Sequence, residues 1–279
     1  MIIDARCRPP LDYFRGQVMY SNAPRTVANM RARGYPPSAA LETGSMEDFW
    51  GEASRAGVER IVIPGRLPNS LFGGHERPEA LYEELGSDPR VIYLEPVSPL
   101  DSSPETAIKD ASVRGARGLV FEPGLSPGIY LDDPQNDGFY SAATEAGLPV
   151  YIMGGGNAGP DVSYANPVAL DRVASRYPDL QLVAVHAGWP WVQEILGVAF
   201  RRPNIWLLPD LYFPGMPGEA DLVSAVSTYL AGRVLFASAY PFCSLEELVG
   251  RYRSLPLPEE GLEQIFCSNA ERLFGLGPS

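Results

Sequence analysis

The sequence predicts a single (β/α)8 TIM barrel occupying residues 1–279. Three observations carry this. Short runs rich in Val, Ile and Leu recur eight times along the chain, as parallel strands buried on both faces require. Segments of helical character separate them. A chain of 279 residues is also an ordinary size for such a barrel, and 28 Gly and 28 Pro supply its many tight connections. A doubly wound open sheet is the runner-up.

The first strand, 2–7, opens with Ile2 and Ile3. By the two-residue alternation of a strand, Asp4, Arg6 and Arg8 then fall on one face, with Cys7 toward the helices, and Pro9-Pro10 stops it. The stretch 9–44 carries Tyr, Phe, Met, Arg and Pro without periodicity. Following strand one, it is expected over the site face as a lid or an oligomer arm. Ser45 starts a helix with Asp48 three residues on, in capping-box fashion, and Gly57 closes it. Strand 60–64, helix 78–85, strand 91–97, helix 104–112, strand 118–122 and helix 136–146 follow, the last closed by Gly147. Strand 149–153 leads to a helix capped by Asn166 with Pro167 at its first position. Strand 182–186, helix 191–200, strand 205–208 and helix 220–230 come next, with Gly232 read as another C-cap. Strand 234–238, helix 245–254 and a closing helix 259–274 complete the pattern.

Composition narrows the function. A formal net charge of −12 and the absence of a basic cluster argue against nucleic acid as a partner. No run of about 20 apolar residues suggests a membrane span, and the start lacks the shape of a signal peptide. Three cysteines, Cys7, Cys243 and Cys267, fit a reduced, cytoplasmic setting. With His75 and His186 as the only histidines, a metal centre built mainly from imidazoles cannot be assembled.

Two motifs fail on their mechanics. Gly124-Leu125-Ser126-Pro127-Gly128 resembles a nucleophile elbow, but the residue after its serine is proline and has no N–H for an oxyanion hole. Gly154-Gly155-Gly156-Asn157-Ala158-Gly159 fits a dinucleotide fingerprint, but Pro160 follows and the helix starts only near Asn166. A Gly-rich loop that lets backbone approach a ligand remains.

Functional side chains in such barrels sit at strand C-terminal ends. Those positions hold Arg6 and Arg8, Arg66, Glu95, Glu122, Met153 and Asn157, His186 and Trp189, Asp210 and Tyr212, and Ala239, Tyr240 and Cys243. Two arginines at the mouth suit a bidentate carboxylate clamp. Internal salt bridges to Asp4, Glu95 or Glu122 are the alternative. His186 can be a general acid/base, oriented by Asp210 or Glu122, or a hydrogen-bonded core histidine. Tyr240 and Tyr212 can donate to an oxyanion. Trp189, Trp191 and Phe242 can wall an apolar pocket.

Three segments then carry a resemblance. Residues 2–10 resemble an opening strand that normally reads Ile-Asp-x-His-x-His-Pro. Val183-Ala184-Val185-His186-Ala187-Gly188-Trp189-Pro190 resembles a strand-six His-x-Gly motif. Leu235-Phe236-Ala237-Ser238-Ala239-Tyr240-Pro241 resembles a strand-eight Gly-Ser-Asp-Tyr-Pro motif. With the tail Asn269-Ala270-Glu271-Arg272-Leu273-Phe274, they make the chain similar to the amidohydrolase-related family of aminocarboxymuconate-semialdehyde and γ-resorcylate decarboxylases and pyrone-dicarboxylate lactonase, whose barrels are of the metal-dependent-hydrolase type. Set against that resemblance, Arg6, Arg8, Met153 and Ala239 stand where the family's metal ligands and catalytic aspartate belong. No metal or other cofactor is therefore expected, since arginine does not deprotonate and repels a divalent ion.

The resulting expectation is a metal-independent hydrolase acting on a small anionic substrate. Arg6 and Arg8 are its carboxylate clamp, His186, Asp210 and Tyr240 its catalytic groups, and Arg66, Glu122, Asn157, Trp189 and Tyr212 further binding residues. A decarboxylase (carboxy-lyase) of the same family is the alternative, ranked second because decarboxylation needs an electron sink. An inactive carboxylate-binding barrel is the alternative of another class. Family habit and the 9–44 stretch suggest a homodimer or higher oligomer.

Overall fold

The structure, a computed structural model, describes residues 1–75, 77–125, 128–156 and 159–277. Seven parallel strands follow one another around a curled sheet: β1 (Ile2–Asp4), β2 (Val58–Pro64), β3 (Val91–Pro96), β4 (Leu119–Phe121), β5 (Val150–Ile152), β6 (Leu182–Val185) and β7 (Ile205–Leu208). Each pairs with the next in sequence, as right-handed βα units stacked side by side must.

The eighth segment, 234–240, closes the barrel through bridges rather than a regular ladder. Val234 pairs with Leu207 of β7, and Tyr240 pairs with Cys7 just past β1. Leu235 N–H donates to Leu207 O at 2.9 Å, and Ala5 N–H to Phe236 O at 2.8 Å. Phe236 N–H turns away to Ile265 O of the closing helix at 3.0 Å, so the ladder never becomes continuous.

Alternate strand residues divide the core in two. Ile3, Ala5, Val62, Leu94, Val120, Tyr151, Val183, Trp206, Leu208, Leu235 and Ala237 fill the lumen, and Ala270 and Phe274 pack into the same cluster. The opposite faces, with Ile61, Ile63, Leu119, Val150, Leu182, Ile205 and Phe236, pack on the helices. A lumen filled by branched side chains is a packed core, so a ligand can enter only at a mouth.

The helices fall close to their sequence signals. Ser45 Oγ accepts from Asp48 N at 3.2 Å and Asn166 Oδ1 from Val168 N at 3.0 Å, each capping the helix that follows. Gly57 and Gly147 end their helices in the left-handed conformation. Gly232 does not. It lies in a 3-10 turn, Ala231–Arg233, that continues out of a π turn, Val226–Leu230.

The main departure is 9–44, which folds into four helices: Asp12–Arg15, Val18–Ser21, Ala23–Ala32 and Ala39–Thr43. This segment is fastened to the barrel mouth. Tyr20 Oη donates to Arg8 O (2.6 Å), Tyr35 Oη to Leu211 O (3.1 Å) and Arg251 Nη2 to Gly34 O (2.8 Å).

Candidate active site

The strand C-terminal ends converge on one cavity of about 380 Å³, near the lower end of ordinary ligand pockets (about 300–1,000 Å³). Arg6 from β1, Arg66 from β2, Glu122 from β4, Met153 from β5, His186 from β6 and Ala239 from the eighth segment line it, with Tyr212 from the β7 turn. The 9–44 segment covers it with Met19, Arg25, Asn29, Met30 and Arg33. A separate depression of about 430 Å³ on the outer helices holds Arg172, Arg176 and Arg202. Those arginines are already paired with Asp132, Asp137 and Asp171.

Backbone strain concentrates at this mouth. Among the described residues, the non-glycine residues with positive φ are His186 (61°), Ala187 (43°), Asp210 (43°) and Ala239 (55°), all just past strands six, seven and eight. Such a conformation costs on the order of 1–3 kcal/mol each and persists only where the surroundings enforce it. The Tyr252 hydroxyl, donating to Asp210 O at 2.9 Å, helps hold one of them.

Asp210 is fully buried, and its Oδ2 lies 2.7 Å from His186 Nδ1 and 3.6 Å from Arg6 Nη1. The His186 contact is close but not aligned as a hydrogen bond, and neither Asp210 oxygen has an aligned donor. Burial pushes the His186 pKa below its ordinary 6.5; Asp210 opposes this, while the charges of Arg6 and Arg8 add to it. The imidazole is therefore neutral at neutral pH, beside a carboxylate that would stabilise it once protonated.

The second charge cluster joins Arg66, Arg8 and Glu122. Arg66 Nη2 donates to Glu122 Oε1 at 2.9 Å and Nε reaches both carboxylate oxygens at 3.1 and 3.2 Å. Arg8 Nε donates to Pro64 O at 3.0 Å, and Nη2 lies 3.8 Å from Glu122 Oε1. Burial alone would raise the Glu122 pKa, but Arg66, Arg8 and Arg6 outweigh it and hold the carboxyl below its ordinary value. Arg6 Nε and Arg8 Nη1 are buried with no hydrogen-bond partner.

Of the two arginines read as a carboxylate clamp, Arg6 lines the cavity and Arg8 does not, its guanidinium being turned to the Pro64 and Gly65 carbonyls at the end of β2. Arg6 reaches the cavity by a different route from simple alternation. Ile3 and Ala5 both enter the lumen, and Arg6 N–H then donates to Asp4 Oδ1 at 3.1 Å in a tight bend. Asp4 is committed elsewhere, to Ser238 N–H (2.9 Å) and Ser238 Oγ (2.5 Å), and does not pair with the arginines. Nor does Glu95, which binds Arg114 and the Tyr93 hydroxyl.

Tyr240 is not at the cavity. It is buried against Phe49, and its hydroxyl sits 2.6 Å from Ser38 Oγ, which donates to Glu52. Trp189 also stands back, stacked behind Tyr212 with ring centroids 5.2 Å apart. Trp191 Nε1 donates to Val162 O outside the site, while Phe242 does line it. Asn157 lies outside the described residues, as do Ser126 and Pro127 of the failed elbow. Of the Gly-rich loop, Gly155 lines the cavity, and a side chain at Gly156 would collide with the Tyr212 hydroxyl. Cys243 is no nucleophile in waiting, since burial pushes its thiol up to about 12. His75 stacks on Tyr13 and faces a loop.

Sequence reasoning missed the contribution of Arg25, Asn29 and Arg33. Their spacing of four along a helix opened by Pro24 was the available signal.

The donor set does not fit a divalent metal. Among the described residues no group of three or more His, Cys, Asp or Glu is placed to hold one. Four of the side chains that line the cavity, Arg6, Arg25, Arg33 and Arg66, are fixed cations, and Glu122 is engaged by Arg66. Among the described residues no helix is long and apolar enough to cross a membrane.

An amidohydrolase family model matches residues 71–276. An uncharacterized TIM-barrel protein of known structure from Bordetella bronchiseptica is 35% identical, with 99% of this chain and 98% of that one covered and a TM-score of 0.92. Two further structures share the fold. 5-Carboxyvanillate decarboxylase from Sphingomonas paucimobilis (18% identity, 99% and 98% covered) gives a TM-score of 0.67. A dihydroxybenzoic acid decarboxylase from Polaromonas, solved with bound manganese and 2-nitroresorcinol (14% identity, 100% and 98% covered), gives 0.69. No curated protein matches by sequence.

Proposed function

The chain belongs to the amidohydrolase family, and from that premise we propose that it is a metal-independent carboxy-lyase acting on a small hydroxylated aromatic acid or a similarly enolisable carboxylate. The observation that carries this is the partly buried His186 at the cavity, its Nδ1 2.7 Å from Asp210 Oδ2, with Arg6 3.6 Å from the same carboxyl; burial holds its pKa below the ordinary value, so the imidazole is neutral at neutral pH. Such an imidazole is a base toward a substrate hydroxyl. Once protonated it is a strong acid, because burial and two guanidiniums disfavour its charge.

The reaction then balances without an external electron sink. His186 takes the proton of the ring hydroxyl. The imidazolium returns it to the ring carbon that bears the carboxylate, leaving a keto form. The C–C bond to the carboxylate breaks, and its electron pair flows into that keto group as CO2 departs. The ring regains aromaticity as a phenolate, which takes up a proton from solvent. Arg6 stabilises the oxygen on which charge accumulates. The substrate thus supplies its own sink, which removes the reason for ranking decarboxylation second. That the family's structural neighbours include decarboxylases supports the same order.

Hydrolysis is the second reading, favoured by the same neutral His186–Asp210 pair, which could equally activate water. A substrate panel decides between them. Hydroxybenzoates incubated in D2O should release CO2 and yield a phenol deuterated at the vacated carbon. Lactone opening with no CO2 from any acid would replace the carboxy-lyase reading, and turnover surviving in His186→Gln would remove His186 from either.

A further inference from the structure

The cavity holds more positive charge than one carboxylate needs. Among the described residues Arg6, Arg25, Arg33 and Arg66 line it, against Glu122 as the one acidic lining residue, in a chain whose net charge is −12. The surplus comes from the helix Ala23–Ala32 and its C-cap. Arg25, Asn29 and Arg33 lie four residues apart, so they share one helix face. The neighbouring face, with Thr26, Val27 and Met30, is buried, which fixes how the helix presents the polar row to the cavity.

Neither Arg25 nor Arg33 has a side-chain ion pair or hydrogen bond among the described residues. Arg66 and Arg8, by contrast, are neutralised in part by Glu122. Arg6 retains an unpartnered, buried Nε. There are thus two separate sources of guanidinium around one space: Arg6 at the barrel end, whose charge Asp210 offsets in part while its Nε stays unpartnered, and Arg25 with Arg33 on the lid.

We infer that the substrate carries two anionic groups, one received by Arg6 at the barrel mouth and the second by Arg25 and Arg33 of the covering helix. This rests on the reading of the cavity as a carboxylate site and extends it to a dianion. It also gives 9–44 a role in selecting the substrate. A monoanion leaves the lid arginines unpaired, whereas a dianion spans floor and lid.

Calorimetric titration with benzoate and with benzene-1,3-dicarboxylate tests this on the full chain at low ionic strength. The dicarboxylate should bind at least about tenfold more tightly, the effect of one added charge-assisted hydrogen bond, and the preference should shrink as salt is raised. Arg25→Gln/Arg33→Gln should weaken dicarboxylate binding far more than benzoate binding, so that the preference between the two probes falls to about unity. Arg25→Lys/Arg33→Lys should restore part of the preference. Equal binding of the two probes by the unaltered protein, binding of neither, or a preference that survives the double Gln change would overturn the inference. Circular dichroism checks folding, and both side chains are exposed. A failure of the catalytic reading is separate: it shows as turnover retained in His186→Gln and leaves the binding preference untouched.

Discussion

Glu122→Gln probes what keeps the arginines in place. In the folded protein this carboxylate is 4% exposed, takes donors from both Arg66 Nε and Nη2 and lies 3.8 Å from Arg8. An amide of the same shape removes the charge and leaves two buried guanidiniums without it. Breaking a buried pair by removing one partner costs about 3–5 kcal/mol. With an unfolding entropy of about 2.1 cal/mol/K per residue over 279 residues, that is a drop in Tm of roughly 5–9 °C. The pH dependence gives a second check. The folded pKa of Glu122 lies below its ordinary 4.5, so its contribution is fully present above about pH 4.5 and is lost as pH falls through the depressed folded value. Stability of the variant and of the unaltered protein, followed by urea or thermal unfolding, should differ most near neutrality and converge in acid. A loss below about 1 kcal/mol would place the pair among weak exposed ion pairs, and an undiminished gap in acid would show that the charge is not the cause. Either result refutes the reasoning.

Three further outcomes follow. His186→Gln should lower kcat by about 10²–10⁴ with a smaller change in KM, the usual size of general acid–base assistance. The rate of the unaltered enzyme should be flat through neutrality and fall only on the acid side, below the ordinary imidazole value of 6.5, because the folded pKa is depressed; a profile that rises through pH 6.5 or above contradicts this. Tyr240→Phe should leave kcat within about twofold and cost about 0.5–1.5 kcal/mol of stability, since its hydroxyl serves Ser38 and not the cavity. A large loss of kcat with stability unchanged would return Tyr240 to the site.

How much was legible in the sequence follows from what a side chain has to satisfy locally. Buried parallel strands must be apolar, so β2 to β7 announce themselves within one or two residues. Caps such as Ser45 and Asn166 are equally plain because their side chains bind the next few backbone N–H groups. The segment 9–44 was opaque because its helices are short, separated by breaks such as Gly34, and fastened by contacts to the barrel such as Tyr35 to Leu211. Counting outward from a strand also fails wherever the backbone turns left-handed. Trp189 follows Ala187 and Tyr240 follows Ala239, and both point away from the cavity that alternation gives them. His186 and Asp210 were found because they are themselves the turning residues. Arg25 and Arg33 were missed because they belong to the lid and to no strand.

The central claim is acid–base chemistry at His186 without a metal. Its most direct test is turnover of a hydroxybenzoate by protein stripped with chelator, with metal content measured in the same sample. Undiminished CO2 release at negligible metal, unaffected by added Zn²⁺ or Mn²⁺, is the predicted result. Activity lost on stripping and restored by either ion would contradict it.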